Sequence, residues 1–85
     1  MSKVEIYTWQ SCPFCNRAKD LLNKKNITFQ EHKIDGDEDA RNKMAIRANG
    51  GRTLPQIFIN DICIGGCDDL YKLESLNKLD GLINI

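Results

Sequence analysis

The segment VEIYT, residues 4 to 8, alternates apolar and polar positions with β-branched and aromatic side chains, the pattern of a strand. From Pro13 onward, Phe14, Ala18, Leu21 and Leu22 recur at helical spacing, which predicts an amphipathic helix ending near NKKN. ITFQEHKI alternates again and reads as a second strand. DGDEDARNKMAIRANGG carries acids in its first turn, basic residues late and a glycine pair after its last turn, all signals of a second helix. QIFIN and ICIGG are short apolar runs joined through Asn60 and Asp61, a workable hairpin turn though weaker than Asn-Gly. Leu70, Leu73 and Leu76 mark a last helix, opened by Asp68 and Asp69.

The predicted order is β-α-β-α-β-β-α. Strands one and two are joined through a helix, so they should be parallel with a right-handed crossover. The unbroken run Ile57-Phe58-Ile59 needs cover on both faces and belongs inside the sheet, whereas ITFQEHKI, with its polar alternate positions, fits an edge. The expected fold class is α/β: one four-stranded mixed sheet flanked by three helices. With no linker, repeat or low-complexity stretch, residues 1–85 are expected to form a single domain.

Composition narrows the function. Hydrophobic residues make up 41% of the chain and charged residues 28%, as in folded globular proteins rather than disordered ones. Twelve basic and twelve acidic residues cancel, so no net field draws the chain to nucleic acid or an anionic membrane. MSKVEIYTW enters the first strand without a signal-peptide core, and no apolar run is long enough to span a bilayer, so a cytoplasmic location is expected. Structural disulfides are rare there, which turns the four cysteines toward metal binding or redox chemistry.

SCPFC, residues 11 to 15, sits at the junction of the first strand and the first helix. Pro13 suits the first helical position, where its missing N–H would be unsatisfied in any case. Cys12 is then the cap residue, with unpaired backbone N–H groups pointing at its sulfur and the positive end of the helix dipole beside it. Such a site stabilises the reactive thiolate. The dipole alone brings a thiol from about 8.5 to near 7. Cys15 lies one turn on, on the same side of the helix and within disulfide reach. The four cysteines Cys12, Cys15, Cys63 and Cys67 can also be written as a zinc set, but the second pair lies in a strand-to-helix segment without a knuckle-like turn. Cys63, between Ile62 and Ile64, fits a small core hydrophobe.

CPFC after a first strand, TLPQIFI before the hairpin and GGCDDL opening the last helix, in this order and spacing, resemble a dithiol glutaredoxin of the thioredoxin fold, from VEIYT to about Leu76. The usual CPYC of that family differs by one hydroxyl. The resemblance implies a glutathione-dependent thiol-disulfide oxidoreductase that reduces glutathione mixed disulfides and some protein disulfides, with glutathione as co-substrate and no tightly bound cofactor. Its partners would be glutathione, glutathionylated proteins and protein disulfides, with no nucleic acid or membrane, and it would act as a monomer.

By the same resemblance, Cys12 is the nucleophile and Cys15 the resolving thiol. Pro13 and Phe14 border the substrate, Thr53, Leu54 and Pro55 form a turn with a cis proline, and the backbone of Leu54 pairs with glutathione as an added strand. Gly66 leads into a helix N-terminus where the N–H groups of Cys67 and Asp68 hold the γ-glutamyl carboxylate, with Asp68 facing the amino group. Read from the residues alone, Thr-Leu-Pro could simply start an edge strand, and Asp68 and Asp69 could simply cap a helix. For the glycyl carboxylate, the family's Lys three residues before the first cysteine is Trp9 here, a departure. Its Arg or Gln eight before the proline is matched by Arg47, able to make a bidentate contact. Arg52 reads as a solvated loop residue and His32 as a surface residue. A thioredoxin-like reductase fed by a flavoprotein, and an iron-sulfur or zinc carrier, are the alternatives. Gly66 through Asp68 argue against the first, and Pro13, where cluster-bridging relatives have glycine, argues against the second.

Overall fold

The computed structural model describes residues 2–83. Its elements in chain order are β1 (Val4–Thr8), α1 (Pro13–Lys24), β2 (Gln30–Lys33), α2 (Glu38–Arg47), β3 (Gln56–Ile59), β4 (Ile62–Gly65), α3 (Cys67–Ser75) and α4 (Leu79–Ile83). The sheet order is β2-β1-β3-β4, with β1 and β2 parallel and β1–β3 and β3–β4 antiparallel. The parallel pair, the polar edge strand and the internal position of Ile57-Phe58-Ile59 all match the sequence pattern; every residue of β3 is buried. Asn60 and Asp61 both take positive φ, 52° and 67°, as the tight hairpin between β3 and β4 requires.

Two elements differ from expectation. β2 is shorter than ITFQEHKI, because pairing begins only at Gln30 opposite Glu5, while Ile27 and Phe29 pack against the core from the preceding loop. A fourth helix, α4, follows the three predicted. Five residues with a glycine at position 81 give too few turns for a periodic signal. Tertiary contacts hold it instead: Leu79 is fully buried, and Lys25 bridges Glu74 on α3 and Asp80 on α4 at 2.9 and 3.0 Å.

One core unites β1, α1, β3 and α3, with Ile6, Ala18, Leu22, Ile57 and Leu70 fully buried. Fully burying each of these isoleucine and leucine side chains is worth about 1.5–3 kcal/mol. On the α2 side of the sheet the chain buries a charge. The Glu5 carboxylate accepts bonds from Arg47 Nη1 and Nη2 at 3.1 and 3.0 Å, and His32 Nε2 lies 2.9 Å away. Arg47 Nη1 also donates to the Tyr7 hydroxyl at 2.8 Å, and the guanidinium stacks 4.1 Å from the Phe58 ring centre. A buried carboxylate survives only when it is paired and hydrogen-bonded in this way. Arg47, and after it His32, hold Glu5 down from its ordinary 4.5 to about 2, against the opposing effect of burial.

A carboxyl depressed in the folded state contributes stability above its ordinary pKa and loses it as pH falls through the folded value. Glu5 should therefore contribute about 3 kcal/mol at neutral pH, lost between about pH 4.5 and pH 2. Urea unfolding followed across that range should show a steep acid loss in the wild type and a flatter one in Glu5→Gln. Arg47→Ala, which strands a buried carboxylate, should cost about 3–5 kcal/mol at pH 7.

Candidate functional site

The C-terminal end of β1 delivers the chain into the loop that precedes α1, and Pro13 occupies the first turn of that helix. Cys12 is its N-cap, with extended backbone at φ −113° and ψ 102°. Its sulfur accepts the N–H of Cys15 at 3.1 Å, so one of the unpaired donors of the first turn points at the site of negative charge. Cys12 and Cys15 are joined as a disulfide, their Cα atoms 5.1 Å apart. The two are not equivalent: Cys12 is half-buried, whereas Cys15 is 0% exposed. An incoming disulfide can reach only the former.

The loop before β3 supplies the second wall. The Leu54–Pro55 peptide is cis, as the resemblance implies, and the Leu54 carbonyl oxygen lies 3.8 Å from Cys12 Sγ. Leu54 itself stands outside the sheet, since β3 begins at Gln56. The third wall is the start of α3. Gly65 has φ +107°, a conformation L side chains rarely adopt, and a Cβ there would run into the Asp69 carboxylate. A Cβ on Gly66 would meet the Pro55 carbonyl oxygen at 3.2 Å. Gly66 thus lets the α3 N-terminus close on the proline turn, and Gly65 leaves room for the Asp69 side chain.

Between these walls lies an open groove of about 230 Å³. Phe14, 53% exposed, forms one side; Thr53, Leu54 and Pro55 form the floor; Gly66, Cys67, Asp68 and Asp69 form the other side. Three stretches distant in sequence meet here, and Cys12 stands at the edge through its contact with Leu54. The two aspartates divide their tasks. Asp69 accepts the Gly66 N–H at 3.0 Å and so caps its own helix, whereas Asp68 is exposed on the first turn. Cys67 is buried, and burial raises its thiol above the ordinary value, so it stays protonated beside the groove.

Residues 4–64 match the family described as Glutaredoxin. The chain belongs to the glutaredoxin family. It is 60% identical over 83 residues to a probable glutaredoxin of Synechocystis, covering 98% of this chain and 94% of that one. It is 52% identical over 83 residues to Glutaredoxin 3 of Escherichia coli, covering 98% of this chain and 99% of that one. Its fold matches the crystal structure of a buckwheat glutaredoxin-glutathione complex with a TM-score of 0.86 at 26% identity, over 98% of this chain and 77% of that one. Like its family, this glutaredoxin is a glutathione-dependent thiol-disulfide oxidoreductase of the thioredoxin fold, and glutathione is its co-substrate. The flavoprotein-fed and metal-carrier alternatives are not favoured. Among the described residues, no helix is long and apolar enough to cross a membrane.

Three expected ligand residues are not among those lining the groove: Pro13, in the first turn of α1, Arg47 and Trp9. The Arg47 guanidinium is taken up by Glu5 and Tyr7, with Asp61 at 3.4 Å, and it stacks on Phe58. Counting back from the proline identified an arginine but not the direction in which α2 presents it. Trp9 is half-buried and packs its ring 5.5 Å from the Arg41 guanidinium. Arg41 in turn donates from Nε and Nη2 to the Arg52 carbonyl oxygen at 3.3 and 3.0 Å, beside Thr53. Sequence reasoning missed Arg41. The available signal was its place on the inward stripe of α2, in line with Met44, Ala45 and Ala48. Arg52 reaches Asn42 and Glu38 at the surface, as a solvated loop residue would.

The capping role of Asp69 is separable from Asp68 by mutation. Asp69→Ala should lower stability by about 1 kcal/mol in denaturant unfolding, because the Gly66 N–H loses its acceptor. Asp68→Ala should leave the unfolding midpoint within about 0.5 kcal/mol of wild type.

Proposed function

We propose that Cys12 alone reduces glutathione mixed disulfides, and that Cys12 with Cys15 resolving reduces protein disulfides. The observation that carries this reading is the position of Cys12. It is the reachable member of the pair, it caps α1, and its sulfur stands against Leu54 at the edge of the groove. The Cys12 thiolate attacks the glutathionyl sulfur, the substrate leaves as a thiolate and takes up a proton, and glutathione remains on Cys12. A second glutathione thiolate then attacks that glutathionyl sulfur, forming glutathione disulfide and returning Cys12. With a protein disulfide, Cys15 displaces the substrate from Cys12 and closes the intramolecular disulfide.

In this reading the groove binds glutathione as an extended peptide against the backbone of Leu54, with Thr53 and Pro55 shaping the turn and Pro13 and Phe14 covering the cysteinyl sulfur. The N–H groups of Cys67 and Asp68, just past Gly66, take the γ-glutamyl carboxylate, and the Asp68 carboxylate takes the ammonium. Arg41, held between Trp9 and the Arg52 carbonyl, supplies the cation for the glycyl carboxylate that the sequence pattern assigned to Arg47. Residues 1–85 act as one domain and as a monomer in the cytoplasm, on glutathionylated proteins and protein disulfides; the one shared core supports the domain assignment.

Turnover of a small glutathione mixed disulfide, coupled to glutathione reductase, tests the scheme. Cys15→Ser should keep this activity and lose reduction of protein disulfides that need an internal resolving thiol. Cys12→Ser should lose both; a Cys12→Ser protein that still turned over would reverse the assignment. Asp68→Ala and Arg41→Ala should each raise the apparent KM about five- to thirtyfold, the equivalent of about 1–2 kcal/mol, with little change for Arg52→Ala.

A further inference from the structure

Three polar side chains on the α1 side of the sheet meet at one atom. Lys19 Nζ on α1 lies 2.8 Å from Glu31 Oε2 on β2, and the Thr8 hydroxyl donates to the same oxygen at 2.7 Å. Thr8 is buried at the C-terminal end of β1, four residues before Cys12, and Glu31 stands opposite Ile6 in the sheet register. Lys19 follows Cys15 by four residues, so the two share one face of α1 with Cβ atoms about 5–6 Å apart. Helical side chains lean toward the N-terminus, which carries the Lys19 stem back over the turn that holds Cys15. Exposed or half-solvated ion pairs contribute little to stability. The placement of this one beside the resolving thiol has a chemical consequence.

We propose that Lys19, held in place by Glu31 and Thr8, supplies the positive charge against which Cys15 ionises when it resolves a mixed disulfide. The inference rests on the resolving role given to Cys15 above. In that step the Cys15 thiol gives its proton to water, and its thiolate attacks Cys12 Sγ. The bond between Cys12 and the substrate sulfur breaks as the Cys12–Cys15 bond forms, and the substrate leaves as a thiolate that takes up a proton. Two electrons pass from the cysteine pair to the substrate. Burial opposes the thiolate at Cys15, which is fully enclosed, and a cation one turn away offsets that penalty.

The other charges around α1 are differently placed. Arg17 faces α3, with its guanidinium over the Tyr71 ring and its carbonyl accepting the Tyr71 hydroxyl. Cys67 on α3 is kept protonated by burial. On β2, Lys33 acts on Glu31 at longer range than Lys19 does, and both, Lys19 foremost, keep the Glu31 carboxyl below its ordinary value. Lys19 and Glu31 are positioning residues of opposite sign, and that gives the proposal its test.

The experiment loads Cys12 of the full chain with thionitrobenzoate as a mixed disulfide and follows release of the coloured thiol by Cys15 across pH. Lys19→Gln should slow release about three- to tenfold at pH 7 and move the pH midpoint upward. Glu31→Gln, which leaves Lys19 unneutralised, should speed release and move the midpoint downward. Lys19→Arg should stay within about twofold of wild type. A merely structural pair would shift both glutamine variants in the same direction; that result, or no shift in either, overturns the proposal. If Lys19→Gln does not fold, the sign of the Glu31→Gln shift decides alone. If release in wild type equals that in Cys15→Ser, the resolving role itself fails. The pH midpoint of Cys15 alkylation in Cys12→Ser, read by mass spectrometry for the same variants, then decides the charge placement by the same signs.

Discussion

The chemistry of this protein depends on the unpaired N–H groups at the first turn of α1. A helix cannot satisfy them internally, and here the donor of Cys15 is satisfied by the sulfur of Cys12. Pro13 adds the fixed φ that starts the helix at this residue and brings no donor of its own. Because β1 runs parallel to β2 and feeds directly into this turn, the helix start is held at the C-terminal end of an interior strand, where the chain must reverse. The sulfur therefore sits where solvent and the positive end of the helix dipole meet. Cys15, one turn further in, is sealed by the same packing that makes Ala18 and Leu22 core residues.

A thiolate without a groove would have no substrate preference, and the groove arises from close approach of backbones. Gly66 lets the start of α3 come close to the Pro55 carbonyl, where a Cβ would sit 3.2 Å from the oxygen, and Gly65 leaves room for the Asp69 carboxylate that caps the helix. The bond from Gly66 to Asp69 fixes the helix end without using Asp68, leaving that carboxylate on the open side. The helix cap and the exposed carboxylate of the groove are thus supplied by adjacent residues.

The two faces of the sheet carry different kinds of polar group. On the α2 side, Glu5, Arg47, His32 and Tyr7 form a hydrogen-bonded cluster in which the carboxylate is enclosed and fully paired. Its role is to let α2 lie against the sheet over a charge that the chain has buried. On the α1 side, Lys19 and Glu31 remain partly solvated, with Lys19 one helical turn from Cys15 on α1 and Glu31 facing it from β2.

Strand alternation, helical periodicity and the local chemistry of CPFC, TLP and GGCDDL determined the order of elements, the edge position of β2, the interior position of β3 and the capping role of Cys12. Each follows from neighbours within a few residues, where propensity, capping and dihedral preference act. The seven groove residues Phe14, Thr53, Leu54, Pro55, Gly66, Cys67 and Asp68 were also legible, because the resemblance fixes them motif by motif. Where each long side chain goes was decided only by the tertiary structure. Arg47 stood at the right distance from Pro55 in sequence, yet a deeply buried carboxylate on β1 claims its guanidinium, and nothing in the spacing encodes that Glu5 points toward α2. Arg41 meets Trp9, and Lys19 meets Glu31, for the same reason: these contacts cross between elements, and their direction depends on how helices lie on the sheet. α4 belongs to this class as well, since five residues become a helix only when Leu79 has a core to enter.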